Sequence, residues 1–235
     1  MQTNEKKIMD RKEQEKAQPE KTPQTPKEKF IAALKETIET VVFVVVMVVL
    51  IRFFVGEIRW IPSASMRPTL IEGDRIFVER FSRFYSTPKR GDIMVFYPPE
   101  EEIKTDALSI IQRLTGFFCK DVAYIKRVVG VPGDKLEVKE FVDGRFQVYI
   151  NDKPLKETYI MSPDDYIPCS SEMFCGPMKI PSGNYFMMGD NRGNSQDSRF
   201  WGFLPKERFI GKAIFLFWPL NRINVFSKPD YGNIN

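Results

Sequence analysis

The sequence contains no histidine, the residue that most often serves as a general base in enzymes. Catalysis by Ser-His-Asp or Cys-His groups is therefore excluded, and so is a zinc site built on histidine ligands. If this chain of 235 residues carries out hydrolysis, it needs a different base.

Cysteine is also scarce, with three residues in the chain. Cys169 and Cys175 lie six positions apart, a separation that can close a small loop, whereas Cys119 stands alone. In an extracytoplasmic domain the first two are expected to form a disulfide. Two free thiols are the alternative, and the sequence leaves both possibilities open.

Most of the chain lacks an excess of charge of one sign. The net charge is +4, but residues 1–35 carry nine basic and six acidic residues, so the remainder is nearly neutral. A neutral domain does not suit a nucleic-acid surface. We therefore predict no nucleic-acid partner, and we also predict no metal and no cofactor.

Residues 1–35 are predicted to form a disordered tail in the cytoplasm. The segment up to residue 29 is rich in Lys, Glu, Gln, Pro and Thr and has few large apolar side chains. Such a segment cannot bury enough surface to offset the entropy that is lost when a chain becomes ordered.

A long apolar run predicts a transmembrane anchor at residues 36–55. Thr40–Ile51 is an uncharged stretch of twelve residues, and Arg52 can snorkel so that the span extends further. A buried Val-rich strand or core helix is the alternative. A cleavable signal peptide is disfavoured, because no small-residue cleavage site follows the run. Long downstream domains translocate largely regardless of flanking charge, so residues 56–235 are predicted to be extracytoplasmic.

The rest of the chain is typical of β structure, since short β-branched and aromatic segments alternate with Gly and Pro turns. Asp143 and Gly144 form a hairpin signal, and insertions are predicted near residues 98–120, with a helix-like piece at Ala107–Leu114, and near residues 162–178. The predicted fold class is mainly β, an antiparallel β-rich, barrel-like domain behind one N-terminal transmembrane helix. The predicted strands are Arg75–Glu79, Asp92–Phe96, Asp121–Val129, Leu136–Lys139, Phe146–Ile150, Tyr185–Met188 and Ala213–Trp218.

Two segments combine into a possible nucleophile and base. The first, IPSASMRPTL at residues 61–70, has serines between prolines, which alone is typical of an ordinary juxtamembrane turn. The second contains Lys126, which in a strand shares its face with Tyr124 and Val128. Burial of an ammonium group is costly and lowers its pKa toward the neutral amine that a general base requires. A lysine that snorkels from a sheet edge is the alternative.

A third segment, Met188–Arg199, is dense in turn-forming and charged residues. Asp190, Asn194 and Asp197 are possible oxygen ligands for calcium. However, two arginines lie within the segment and the spacing of an EF-hand is absent. We therefore favour an ordered, hydrogen-bonded loop.

Four stretches resemble bacterial type I signal peptidases, also called leader peptidases: IPSASMRPTL, GDIMVF, YIKRVVGVPGD and GDNRGNSQDSRFWG. The resemblance extends over roughly residues 36–220. It implies a Ser-Lys dyad serine endopeptidase, a hydrolase of the bacterial cytoplasmic membrane that removes signal peptides from exported preproteins. Its implied partners are those signal peptides and membrane lipid.

The resemblance also implies the residues that carry the reaction. Ser65 matches the nucleophile and Lys126 matches the general base. The Ser65 N–H and the Ser63 hydroxyl are implied to form the oxyanion hole. Ala64 replaces the Gly often found between the two serines, and a small residue suffices at that position.

Supporting and substrate-binding residues follow from the same resemblance. Ser195 matches the serine that orients the lysine, and Asp190 is similar to a residue that pairs with Arg127. Asp197 and Arg199 match positions that hold the geometry of the site. The substrate is expected to add to a strand edge near the base, with small residues before the cleaved bond. The predicted pocket walls are Ile61, Pro62, Leu70, Tyr124 and Ile125.

A second class of function remains open, a non-catalytic membrane-anchored β-domain that scaffolds export or envelope partners. Such a protein has no reason to bring Ser65, Lys126 and Ser195 together. A self-cleaving repressor is disfavoured, because the N-terminal segment is not a DNA-binding domain. A distance of about 3 Å between the Ser65 oxygen and the Lys126 nitrogen favours the enzyme.

Overall fold

The computed structural model describes residues 25–103, 105–115, 122–141, 145–162, 174–232 and 234. The chain divides into two compact units, Met1–Val46 and Met47–Asn235. The first contributes most of one helix, and the second contributes the β structure.

Helix α1 spans Pro26–Leu50 and continues into a π-helical turn at Ile51–Val55. No residue of α1 is buried, although its second half consists almost entirely of apolar side chains. Among the described residues, these two segments form the one stretch that is long and apolar enough to cross a membrane. The predicted single apolar helix near the N-terminus is therefore present.

A capping box fixes the start of α1. The Thr25 hydroxyl accepts a hydrogen bond from the Glu28 backbone N–H at 3.3 Å, and the Glu28 carboxylate accepts one from the Thr25 backbone N–H at 2.8 Å. Pro26 occupies the first helical position, where its missing N–H has no cost. Residues 26–35, part of the predicted tail, are helical in the structure, because composition does not register a local cap.

The second unit contains short strands and two short helices within its described part. The helices are α2 (Ala107–Thr115) and α3 (Ser198–Trp201). The strands are β1 (Gly56–Trp60), β2 (Arg75–Glu79), β3 (Ile93–Phe96), β4 (Tyr124–Gly130), β5 (Lys135–Glu140), β6 (Phe146–Ile150), β7 (Lys153–Pro154), β8 (Met178–Lys179), β9 (Asn184–Met188), β10 (Leu204–Pro205), β11 (Phe209–Trp218) and β12 (Asn224–Val225).

These strands form two antiparallel sheets. The larger one runs in the order β1-β2-β11-β3-β4-β9-β10, with β12 paired to β11, and the smaller one runs β7-β6-β5-β8. Among the described strands, β1 and β10 end the path of the larger sheet without pairing to each other, so that sheet is an open half-barrel. The predicted class, mainly antiparallel β with a barrel-like form, is confirmed.

All seven predicted strands are present, with ends shifted by a few residues. The largest shift is in β11, which begins four residues earlier than predicted, at Phe209. The prediction missed β1, because Glu57 and Arg59 interrupt its apolar pattern. Glu57 is nevertheless buried, and its carboxylate pairs with Arg52 at 2.8 Å and with Arg59 at 2.6 Å. The predicted hairpin turn lies outside the described residues.

Alternation along the strands builds the hydrophobic core. In β2, Ile76 and Val78 are fully buried and lie in the same cluster as Ile125 of β4. Val128, also on β4, packs in a different cluster. Strand β4 is therefore covered by hydrophobic side chains on both faces, which isolates its polar residues from solvent.

The first predicted insertion contains α2, close to the predicted bounds. Its first turn is capped by Asp106, whose carboxylate accepts a hydrogen bond from the Ser109 N–H at 3.0 Å. Residues 116–121 and 163–173 lie outside the described part of the chain. Cys175 is disulfide-bonded, but Cys119 and Cys169 fall in those two segments, so the pairing of Cys169 with Cys175 stays a prediction.

Candidate active site

Lys126 lies in β4, a strand that has a neighbouring strand on each side. Strand β3 pairs on one side, with Met94 directly opposite Lys126, and β9 pairs on the other. The Lys126 side chain is almost completely buried, at 5% exposure, and its amino group lies 5.6 Å from the centre of the Tyr124 ring. The strand thus holds an amine in surroundings that disfavour its charged form.

Ser65 lies in a short 3₁₀ turn, Ala64–Met66, between β1 and β2. Asn191, from the loop after β9, holds this turn with two hydrogen bonds. Its backbone N–H donates to the Ser65 carbonyl at 3.1 Å, and its side-chain amide donates to the Ala64 carbonyl at 3.1 Å. The turn is therefore anchored to the loop that follows β9, the strand that pairs with β4.

Gly189 allows this close approach of the two segments. A Cβ atom at Gly189 would lie 2.5 Å from the Ser65 carbonyl oxygen and 2.3 Å from the Ser195 hydroxyl, both inside any tolerable contact distance. The loop can therefore pack against the turn only because residue 189 lacks a side chain.

The amino group of Lys126 lies 2.6 Å from the hydroxyl of Ser65, although 61 residues separate them in sequence. Burial lowers the pKa of Lys126 from 10.5 to about 8, while the negative charges of Asp197 and Asp190 act in the opposite direction. A neutral lysine at this distance can accept the serine proton. The Ser63 hydroxyl, which belongs to an exposed residue, lies 3.3 Å from the Ser65 hydroxyl.

A buried ion pair stands directly behind the lysine. Arg127 and Asp190 form a bidentate pair with distances of 2.8 and 2.6 Å, and Arg127 also donates to the Gly91 carbonyl at 3.0 Å. The hydrogen bonds and charge of Asp190 raise the pKa of Arg127 against the opposing effect of burial. Thr69 donates its hydroxyl to the Asp190 carboxylate at 2.5 Å, which ties the segment after Ser65 to this pair.

Asp197 and Arg199 form a second ion pair, in which neither side chain is exposed. Asp197 accepts two hydrogen bonds from the Arg199 guanidinium at 2.8 Å and one from the Gly189 N–H at 3.0 Å. Burial alone would raise the pKa of Asp197, but the hydrogen bonds and charge of Arg199 outweigh it and lower that pKa. The pair therefore fixes the loop as a charged, hydrogen-bonded unit.

Ser195 is buried beside Gly189. Its hydroxyl lies close enough to the Asp197 carboxylate to help lower the pKa of that group. It has no partner at hydrogen-bonding geometry among the described residues, Lys126 included. Orientation of the lysine by Ser195 therefore stays a prediction.

Residues 34–218 match the family model described as signal peptidase, peptidase S26. The chain belongs to this family. Membership makes it a hydrolase, a serine endopeptidase of the signal peptidase I type, and confirms the predicted resemblance and enzyme class.

Several curated relatives agree with this assignment. A signal peptidase I from Leptolyngbya laminosa is 42% identical over 88% of this chain and 95% of its own length. The probable signal peptidase I-1 of a Synechocystis strain is 41% identical over 80% of this chain and 85% of its own length. A crystal structure of a signal peptidase I from Enterococcus faecalis is 25% identical, covers 54% of this chain and 97% of its own chain, and superposes with a TM-score of 0.37.

The sequence did not identify several residues that build this site. Asn191 and Gly189 lie inside the matched loop motif, which offered a signal, but their contacts depend on how the loop meets the serine turn. Glu157 and Tyr159 lie in a segment without any recognisable pattern. Glu157 nevertheless holds the fully buried Arg192 at 2.8 and 2.5 Å, and the Tyr159 ring lies 4.1 Å from the Arg127 guanidinium.

The predicted pocket walls of this signal peptidase divide into two groups. Ile61, Leu70 and Ile125 pack together in one core cluster, and Leu70 has no exposed surface. Pro62 is exposed and Tyr124 is partly exposed. The composition of the substrate pocket stays a prediction, and Leu70 is the residue whose burial argues most strongly for a core role.

Proposed function

We propose that this protein removes N-terminal signal peptides from exported preproteins, with Ser65 as the nucleophile and Lys126 as the general base. The observation that carries the proposal is the 2.6 Å contact between the Lys126 amino group and the Ser65 hydroxyl. The lowered pKa of that buried lysine supports the same assignment.

The proposed reaction proceeds in two stages. Neutral Lys126 takes the hydroxyl proton of Ser65 while the serine oxygen attacks the scissile carbonyl carbon. The Ser65 N–H and the Ser63 hydroxyl stabilise the oxyanion, and one such donor contributes about 3 kcal/mol. The ammonium then protonates the leaving amine, which yields the mature protein and an acyl-enzyme. Lysine next deprotonates a water molecule, which hydrolyses the ester and regenerates the serine.

The location that we propose is a membrane, with α1 as a single-pass anchor. The apolar composition and length of Pro26–Val55 support this, as does the family of the chain. We propose that residues 1–35 lie on the cytoplasmic side and that the catalytic domain lies on the outer side of the bacterial cytoplasmic membrane. A disulfide at Cys175 agrees with an oxidising compartment.

The proposed substrate is an extended peptide with small residues before the cleaved bond. It adds to a strand edge near Lys126, where main-chain hydrogen bonds supply affinity and small side chains enter shallow pockets. Pro62 is exposed and Tyr124 is partly exposed, and these two residues are the first contacts to test.

The decisive experiment uses the purified full chain in detergent micelles and a model preprotein. Ser65→Ala and Lys126→Ala are each expected to abolish cleavage while the far-UV circular dichroism stays that of the wild type. Ser182→Ala and Lys179→Ala, which replace exposed residues of the same types, are matched controls that keep full activity.

Two outcomes would count against the proposal. Near-normal turnover by a folded Ser65→Ala or Lys126→Ala variant contradicts the dyad. Failure of the wild type to cleave any preprotein, together with stable binding of export partners, favours the non-catalytic scaffold instead.

A further inference from the structure

A cavity of about 860 Å³ lies in the catalytic unit, apart from the dyad. One part of its wall comes from Phe54 and Val55, at the end of the π-helical turn, and another from the sheet residues Phe77, Met94 and Phe209. Among the described residues, none that we assign to catalysis lines it. Its volume falls within the range of about 300–1,000 Å³ that is usual for small-molecule sites.

The mouth of this cavity carries exposed aromatic rings. Phe54 is 47% exposed, Phe81 is 54% exposed and Tyr85 is 68% exposed. The Phe81 and Tyr85 rings are 5.0 Å apart, and Phe54 lies 6.4 Å from Phe84. Clusters of exposed aromatic rings next to an apolar helix are typical of the membrane–water interface.

The charged part of the cavity has an excess of positive charge. Four lysines line it, against the two carboxylates of Glu79 and Asp92. Lys212 and Lys228 converge on one oxygen of Asp92, at 2.9 and 3.4 Å, while Glu79 is engaged by Ser82. One carboxylate cannot neutralise two ammonium groups, so this end of the cavity favours an anion.

We propose that the cavity binds one anionic phospholipid of the bilayer, with an acyl chain against the aromatic wall and the phosphate at Lys212 and Lys228. The proposal rests on the membrane anchoring proposed above, because Phe54 and Val55 both close the cavity and end the proposed span. A lipid from the bilayer surface matches both parts of the lining, because its acyl chain contacts the aromatic wall and its phosphate contacts the lysines. A free anion would leave the apolar wall without a contact. An apolar peptide would leave the lysines without a negative charge to pair with.

The test uses the full chain reconstituted in phosphatidylcholine nanodiscs that contain phosphatidylglycerol with a photoreactive acyl chain. Cross-links are mapped by mass spectrometry. We expect saturable labelling of β2 and β11, which unlabelled phosphatidylglycerol displaces and inorganic phosphate does not. Lys212→Gln combined with Lys228→Gln should reduce that labelling at least about five-fold, since each lysine near an anionic surface contributes about that factor.

Two further variants keep the result interpretable. Ile214→Trp fills the cavity and leaves the lysines intact, and it should reduce labelling even if the double lysine variant folds poorly. Lys153→Gln combined with Lys179→Gln removes two exposed lysines of the smaller sheet and should change nothing.

Several results would overturn the lipid site. These are equal labelling by a phosphatidylcholine probe, labelling confined to residues 26–53, competition by inorganic phosphate, labelling unchanged in Ile214→Trp, and cross-linking of a preprotein to the same strands. Cleavage of a preprotein is measured in the same nanodiscs. Loss of cleavage with intact lipid labelling therefore refutes the proposed function and leaves this inference standing.

Discussion

Asn191 holds the turn of Ser65 from the opposite segment of the chain, through a backbone bond of 3.1 Å to the Ser65 carbonyl. Asn191 follows β9, and β9 pairs with the strand that carries Lys126. The same contact therefore links Ser65 to the pair of strands, β4 and β9, that holds Lys126. The distance of 2.6 Å between the Lys126 amino group and the Ser65 hydroxyl therefore depends on this contact as well as on the two residues themselves.

Replacing Asn191 with Ala removes the amide bond to the Ala64 carbonyl and keeps the backbone bond. We expect kcat to fall about five-fold with little change in KM, because one hydrogen bond contributes about 1 kcal/mol and the serine loses its alignment. Steady-state cleavage of a signal-peptide substrate measures this. Asn194→Ala, an exposed position in the same loop, is the control, and an equal loss in both variants refutes the positioning role.

Activity should rise with pH, because the base must be neutral to act. Burial lowers the pKa of Lys126 to about 8, so kcat/KM is expected to increase through that value and to level off above it. The pH–rate profile of the full chain measures this. Ser63→Ala should lower the rate at every pH without moving the midpoint. A profile that is flat from pH 6 to 10 rules out a lysine base.

Lys126→Met should stabilise the protein while it abolishes cleavage. A lysine whose pKa falls from 10.5 to about 8 on folding costs on the order of 3 kcal/mol at neutral pH, and methionine removes this cost with similar volume. The cost is complete below pH 8 and disappears as the pH rises toward 10.5, so the advantage of the variant should shrink over that range. Thermal unfolding at neutral and alkaline pH checks both points, and a variant less stable than wild type at pH 7 contradicts the argument.

Asp197→Ala should destabilise the catalytic unit by about 3–5 kcal/mol, because it leaves the guanidinium of Arg199 buried without its carboxylate. The double change of Asp197→Ala with Arg199→Met should recover part of this loss. Chemical denaturation of the wild type, the two single variants Asp197→Ala and Arg199→Met, and the double variant measures the coupling. Because folding lowers the pKa of Asp197, its ionised carboxylate stabilises the folded protein at pH values above the usual pKa of an Asp. This stabilisation is lost as the pH falls through the lowered pKa. Additive losses in the double variant refute a coupled pair.

Cys169 should form the disulfide with Cys175. Mass spectrometry of alkylated, unreduced protein isolated from the membrane is expected to find both masked, with Cys119 labelled as the internal control. The bond should be absent from protein that is made and kept in the cytoplasm. Labelling of all three cysteines in the membrane-isolated protein contradicts the pairing and weakens the extracytoplasmic placement.

Much of the fold could be predicted because its signals are local. Strand β2 alternates buried and exposed residues, and the apolar half of α1 is continuous, so a short window of sequence identifies each. The start of α1 is also local, yet composition concealed the cap formed by Thr25 and Glu28. Strand β1 could not be predicted, because Glu57 interrupts its apolar pattern and is buried there only through ion pairs with Arg52 and Arg59 nearby in sequence and with the more distant Arg80.

The sequence by itself determined which reactive groups are available: it excludes histidine, and it supplies one serine turn, one lysine on an apolar strand and one charged loop. Only the tertiary structure decided that these meet. Lys126 has a lowered pKa because both faces of β4 are covered, and Ser65 lies within reach because Gly189 and Asn191 let a distant loop pack against its turn. Burial and distance are properties of many residues at once, so no single motif in the sequence encodes them.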